Sequence, residues 1–141
     1  MQLSVKYIIW LLLLFVAPVT LSESQSLTAG IQTKIDEAIS QLYRSEDRQI
    51  AISWDNAKKA SEFICRPIAL TEIQRKGFPK ADRIFLGEDN QDSLNLSLIR
   101  QYHLTGIGEV RIDDAWYDFT FQCDIDSVKG IVTFFNIILS P

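Results

Sequence analysis

The side chain best suited to proton transfer near neutral pH is His103, the only histidine among 141 residues. Nucleophilic catalysis would need a serine or cysteine beside it and an acid that orients the ring. The chain has no Gly-x-Ser-x-Gly motif, so the pattern favours a structural or solvated histidine at a strand edge. A small hydrolase-like enzyme that uses His103 with nearby carboxylates stays open as an alternative. It requires a concave pocket in which His103 lies within hydrogen-bond reach of a carboxylate.

Several aspartates occur in patterns that resemble metal or acid–base sites, but turn formation explains them better. Asp113 and Asp114 fall at the tip of a predicted hairpin, where aspartate is a common turn residue. Asp124 and Asp126, with Gly130, only partly match a calcium loop, because the glycine spacing is wrong and no bidentate glutamate follows. We therefore predict no catalytic residue, no metal site and no cofactor.

The two cysteines, Cys65 and Cys123, are predicted to form a structural disulfide. An even cysteine count in an exported chain favours pairing. The bond would close a loop of about 58 residues, which on the chain-entropy model stabilises a domain by roughly 4 kcal/mol. Redox chemistry usually needs a Cys-x-x-Cys motif, which is absent.

The N-terminal segment has the layout of a secretory signal peptide. Lys6 is the only charged side chain before Glu23, and the apolar run between them is followed by small residues. We expect cleavage near residues 22–24, which leaves a single domain over 26–141. The alternative is an uncleaved N-terminal anchor, although the apolar run is short for a hydrocarbon core about 30 Å thick.

Apolar residues recur at intervals of three and four in the first part of the mature chain, which predicts helices. Thr28 or Ser26 could cap the first helix, and residues 45–47 interrupt its apolar stripe. The stripe consists of Ile31, Ile35, Ala38, Ile39, Leu42 and Tyr43.

A second helix is predicted over 55–65. The chain should break at Arg66 and Pro67, because the residue before proline avoids helical geometry. A short third helix over 69–76 should then end at Gly77, since glycine commonly terminates helices.

The rest of the chain alternates between apolar and polar residues, which predicts strands over 83–86, 94–98, 104–112, 116–123 and 131–139. Helices followed by antiparallel strands indicate an α+β domain. We expect two or three helices on one face of a four- to five-stranded antiparallel meander.

The predicted register follows from matching large residues with small ones across neighbouring strands. Gly106 and Gly108 leave space for two phenylalanine rings on the adjacent strand. A three-residue loop with left-handed Gly130 closes the last hairpin. The predicted pairs are Val110 with Tyr117, Gly108 with Phe119, Gly106 with Phe121, Leu104 with Cys123, Cys123 with Phe135, Phe121 with Ile137, and Phe119 with Leu139.

The opposite sheet face receives a second apolar set, which is the one feature that suggests binding. Exposed apolar patches on small domains often mark partner or ligand sites. The alternative is that a helix, a loop or sheet curvature covers the face. The predicted binding set is Ile107, Trp116, Val132, Phe134 and Ile138.

These motifs resemble a group of small exported bacterial proteins of unknown function. The resemblance spans about 55–138 and includes Cys65-Arg66-Pro67 and the run Trp116-x-x-Phe119-x-Phe121-x-Cys123. It implies a periplasmic location and nothing catalytic.

The net charge of −4 disfavours nucleic acids as partners. We predict an exported, non-enzymatic domain without a membrane span after signal cleavage. Its partner would be an unknown protein or an apolar ligand, and a purely structural envelope role is the remaining alternative.

Overall fold

The computed structural model describes residues 26–87 and 95–141. Residues 1–25, which include the predicted signal peptide, and residues 88–94, which include the start of the predicted strand 94–98, lie outside these ranges. Within them, no helix is long and apolar enough to cross a membrane.

The N-terminal half of the described chain is helical, as predicted. In α1 the side chains of Ile31, Ile35 and Ile39 are buried at intervals of four, which is the spacing of one helix face. Thr28 caps this helix by accepting a hydrogen bond from the backbone N–H of Ile31. The helical elements are α1 (Ala29–Ser40), α2 (Ser45–Ser53), α3 (Asn56–Ala60), a π-helical turn (Ser61–Cys65) and α4 (Arg66–Arg75).

Two details of the helical layer differ from the prediction. Residues 45–47, expected only to interrupt the first stripe, begin α2, whose first turn carries two acidic residues that suit a helix N-terminus. Tyr43 does not belong to the buried stripe and is 98% exposed. It follows the end of α1, so helical spacing no longer sets the direction of its side chain.

The predicted break at Arg66 and Pro67 does not occur. A π turn joins α3 to α4 without a loop, and the backbone N–H of Arg66 donates to the carbonyl of Ser61, five residues earlier. Pro67, which has no N–H to donate, directly follows this turn at the start of α4. The proline therefore changes the hydrogen-bonding pattern but leaves the helix continuous.

The C-terminal half forms one antiparallel sheet of five strands, which confirms the α+β prediction. β3 pairs with β4 and β4 with β5, and each predicted cross-strand pair among them is present. The strands are β1 (Ala81–Leu86), β2 (Leu96–Ile99), β3 (His103–Ile112), β4 (Ala115–Ile125) and β5 (Val132–Leu139).

Strands β1 and β2 lie end to end along the same edge of β3. Leu86 pairs with Gly108 and Leu96 with Gly106, so only Ile107 separates the two ladders. Gly87 donates its N–H to the Ile107 carbonyl over 2.7 Å, and the Ile107 N–H donates to the backbone carbonyl of Asn95 over 3.2 Å. The two short strands therefore act as one interrupted edge strand.

The core lies between the helices and one sheet face, and the disulfide crosses it. Cys65 and Cys123 are bonded, with a Cα–Cα distance of 6.3 Å, and both are fully buried. Phe119, Phe121 and Phe135 are at most 3% exposed on the same face. The predicted disulfide is confirmed, and it joins the helical layer to the aromatic face of the sheet.

The two strand glycines make room for the aromatic rings and for the interrupted edge strand. A Cβ on Gly108 would lie 2.5 Å from the Phe119 ring and 2.4 Å from the Phe85 carbonyl oxygen. A Cβ on Gly106 would lie 3.0 Å from the Phe121 ring and 2.4 Å from the Asn95 carbonyl. Ring packing was predicted, whereas the close approach of the neighbouring backbone was not.

The last hairpin differs from the prediction by one residue. Gly130 is left-handed, with φ of +66°, as expected. However, Asp126 pairs with Ile131 through a backbone hydrogen bond of 2.7 Å, so the loop between them holds four residues rather than three. The ladder skips Thr133, which forms a β-bulge opposite Asp124 and Ile125. The bulge restores the predicted register beyond it.

Candidate functional site

The sheet face away from the helices, here called the outer face, carries side chains from all five strands. Alternation along each strand assigns these residues, because their neighbours form the buried face. The register aligns them in rows across the sheet. Three of the rows are Ile99–His103–Asp124–Phe134, Ile107–Thr120–Ile138 and Phe85–Glu109–Asp118.

Four of the five predicted binding residues lie on the outer face and are exposed: Ile107, Trp116, Phe134 and Ile138. Val132 does not share their position. It is half-buried and packs against the core, because the bulge at Thr133 reverses the alternation at the start of β5. Polar residues separate the remaining four, so the outer face is mixed rather than continuously apolar.

The largest aromatic feature of this face is a stacked pair formed by Phe85 and Trp116. Their ring centres are 5.5 Å apart with an interplanar angle of 23°, and the residues are 40% and 45% exposed. Arg66, which is paired with Glu62, lies 5.3 Å from the Phe85 ring centre. Sequence analysis missed Phe85, although its position between the buried Ile84 and Leu86 was a usable signal.

A pair of carboxylates lies next to the aromatic stack. Glu109 and Asp118 are directly opposite each other on β3 and β4, and both are exposed. Within residues 26–87 and 95–141, neither forms an ion pair. They line an open cavity of about 640 Å³ together with Phe85 and Ile107. The site thus combines apolar walls with uncompensated negative charge.

The nearest cation on β3, Arg111, is engaged elsewhere. Its guanidinium forms a bidentate pair with Asp82, with distances of 2.8 Å and 2.5 Å. The hydrogen bond from Arg111 holds the pKa of Asp82 below its ordinary value, and the same bond raises the pKa of Arg111. Arg111 therefore forms its ion pair with β1 and not with Glu109 or Asp118.

His103 lies at the opposite end of the outer face, in an open cavity of about 720 Å³. Its Nδ1 is hydrogen-bonded to a carboxylate oxygen of Asp124, its cross-strand neighbour. This contact fixes the ring orientation and leaves Nε2 for another partner. The pocket and the carboxylate required by the enzyme alternative are both present. The same contact also fits the structural role that was predicted for His103 alongside a solvated one.

Comparison with protein-family models finds no match. Searches of curated proteins and of solved structures also find none. The resemblance to small exported bacterial proteins remains a prediction, and the site must be interpreted from its own chemistry.

Turn formation accounts for Asp126, the second acid of the incomplete calcium-loop pattern. Its carboxylate accepts hydrogen bonds from the backbone N–H groups of Lys129 and Val128, at 2.7 Å and 2.9 Å. These two bonds lower the pKa of Asp126, first through Lys129 and then through Val128. Among the described residues, no group of three or more side chains could hold a metal ion.

Proposed function

We propose that this protein is an exported, non-enzymatic binding module. Its outer face holds a protein partner that presents a basic side chain beside an apolar one. The observation that carries the proposal is the uncompensated pair Glu109 and Asp118 next to the half-exposed stack of Phe85 and Trp116.

The charge pattern of the sheet supports a basic partner. Like charges that face each other across antiparallel strands destabilise a sheet by up to about 1 kcal/mol. The same sheet pairs Arg83 with Arg111, but there Asp82 supplies the opposite charge. Among the described residues, no cation forms an ion pair with Glu109 or Asp118. A lysine or arginine of a partner would relieve their repulsion, so part of the binding free energy is already present in the free protein.

The aromatic pair supplies the apolar part of the interface. Tryptophan is among the residues that contribute most to protein interfaces, because it buries a large and rigid surface. Trp116 and Phe85 stack on each other, which preorganises both rings and lowers the entropy lost on binding. Ile107 extends this surface along the cavity wall.

The disulfide supports the exported location. Structural disulfides form and persist in oxidising compartments such as the periplasm or the extracellular space. The bond between Cys65 and Cys123 is fully buried between the helices and the sheet. It accords with the signal peptide predicted from the N-terminal sequence.

Site-specific photocrosslinking in envelope extracts tests the proposal. A photoreactive residue at Thr120, between Ile107 and Ile138, should capture a discrete partner. The same group at Ser40, at the exposed end of α1, is the matched control. The Thr120 product should disappear in Glu109→Lys and weaken as salt is raised, because charge attraction is screened. A product that resists both changes, or equal labelling from Ser40, would contradict the proposal.

The contact between His103 and Asp124 favours a second candidate, a hydrolase-like enzyme. A carboxylate-oriented imidazole in a cavity is the usual arrangement of a general base. Ser127 and Thr133 also line this cavity, and the Thr133 hydroxyl donates to the Asp124 carbonyl over 3.2 Å. Ester hydrolysis that is lost in His103→Gln but retained in Glu109→Lys would favour this enzyme. Failure of both the crosslinking and the hydrolysis tests would leave the structural envelope role.

A further inference from the structure

The cavity around His103 is separate from the proposed partner surface and has its own chemistry. It lies between the β2–β3 turn and the start of the β4–β5 loop, and it is lined by both apolar and ionisable side chains. The exposed apolar side chains of the cavity are Ile99 and Tyr102. The ionisable groups are Arg100, His103, Asp124 and Asp126.

Both carboxylates of this cavity already have hydrogen-bond donors. Asp124 is bonded to Nδ1 of His103, and Asp126 accepts two backbone N–H bonds from its own turn. Arg100 is exposed and forms no ion pair or hydrogen bond with any residue of 26–87 or 95–141. The unused polar capacity of the cavity therefore includes the Arg100 guanidinium and Nε2 of His103.

The cavity lies where the regular ladders end. Arg100 and Gln101 are the central residues of the turn between β2 and β3, which the Tyr102 N–H closes on the Ile99 carbonyl over 3.4 Å. Their φ values of 53° and 67° are those of a type I′ hairpin turn, and Asp113 and Asp114 show the same pattern between β3 and β4. Across the cavity, the bulge at Thr133 interrupts the ladder between β4 and β5.

We propose that this cavity binds the carboxylate of an organic acid, held jointly by Arg100 and Nε2 of His103. In the imidazolium form both ring nitrogens donate, Nδ1 to Asp124 and Nε2 to the ligand. With that form the four lining charges sum to zero, so the carboxylate does not enter a negatively charged site. Guanidinium groups match carboxylates through parallel hydrogen bonds. The apolar walls favour an organic acid over an inorganic anion.

NMR titration of the protein, purified in its exported form, tests this site. The probes are N-acetylglycine, with a free carboxylate, and N-acetylglycinamide, without one. We expect saturable shifts at the side-chain nitrogens of Arg100 and His103 with the acid only. Acetyl-trialanine with a free or an amidated C-terminus distinguishes a peptide terminus from a small acid. Equal affinity for acid and amide probes, or no saturable shift with either acid, would overturn the proposal.

Variants separate a binding role from a structural one. Arg100→Asn keeps a residue that tolerates the left-handed backbone, and His103→Gln keeps a polar side chain. Each should weaken acid binding at least about tenfold, the loss expected for one charge-assisted hydrogen bond. Arg44→Gln, an exposed arginine in the helical layer, is the matched control and should leave the affinity unchanged. Glu109→Lys should also leave it unchanged, which separates this site from the proposed partner surface. Unchanged affinity in either site variant, with the fold intact by circular dichroism, would refute the two-residue arrangement.

Discussion

Reversing one charge of the pair Glu109 and Asp118 should stabilise the protein while abolishing binding of the proposed partner. Directly opposed residues in an antiparallel sheet have Cβ atoms about 5 Å apart. Two unit charges about 6 Å apart interact by about 0.7 kcal/mol in water, and by about twice that at half the dielectric constant. Glu109→Lys removes this repulsion and replaces it with attraction. We therefore expect a gain of about 1 kcal/mol, or about 4 °C in Tm for a domain of this size.

The measurement is urea denaturation at low and high salt for a complete charge cycle. The cycle comprises the wild type, Glu109→Lys, Asp118→Lys and the double variant. Each single variant should be more stable than the wild type, and the double variant should lose the gain because two lysines then face each other. The differences should shrink at high salt, since both residues are exposed. Single variants no more stable than the wild type at low salt would refute the electrostatic argument.

Three further predictions concern the scaffold. Replacing Cys65 and Cys123 together by alanine should cost about 4 kcal/mol in urea unfolding, because the bond spans 58 residues; a loss below about 1 kcal/mol would contradict this. Gly30→Ala should lower the free energy of unfolding by about 1–3 kcal/mol through overpacking, since the new Cβ would lie 2.0 Å from the Val128 carbonyl oxygen; an unchanged value would exclude that clash. Because the pKa of Asp126 is lowered in the folded protein, its carboxylate stabilises the fold. This contribution to the free energy of unfolding is complete above about pH 4 and is lost as pH falls through the folded-state pKa. The Tm difference between wild type and Asp126→Ala should therefore shrink at lower pH, and a difference that grows would contradict the assignment.

The register of the sheet was predictable because small and large residues complement each other across the strands. Gly106 and Gly108 face the rings of Phe121 and Phe119, and a slip of one residue would place those rings on the outer face. The disulfide followed from the cysteine count and from the position of Cys123 on that same face.

The π turn was not predictable from the apolar pattern. Ser61, Cys65, Ala69 and Ile73 are buried at regular steps of four, which is the spacing of an ordinary α-helix face. The sequence step Arg66-Pro67 was interpreted as a break, whereas the chain passes it through one wider helical turn.

The candidate sites were less predictable, because they depend on neighbours that are distant in sequence. Phe85 reaches Trp116 from another strand, and nothing local to either residue indicates the stack. The pairing of His103 with Asp124 is the next step of the predicted register after Leu104 with Cys123, so this contact could have been predicted. The bulge at Thr133, which removes Val132 from the predicted patch, depends on a loop one residue longer than its turn residues suggest.

The contrast between the two sheet faces is the strongest argument that function lies on the outer one. In the described residues the buried face is fully consistent, since it carries interlocking aromatics, a disulfide and no buried side-chain polar atom without a partner. The outer face of the same described residues instead holds two directly opposed carboxylates that form no ion pair, and half-exposed aromatic rings. A sequence selected for stability alone would remove these features at little cost, as Glu109→Lys should show. Local departures from stability are expected where a protein binds or reacts, so their concentration on one face supports a binding role there.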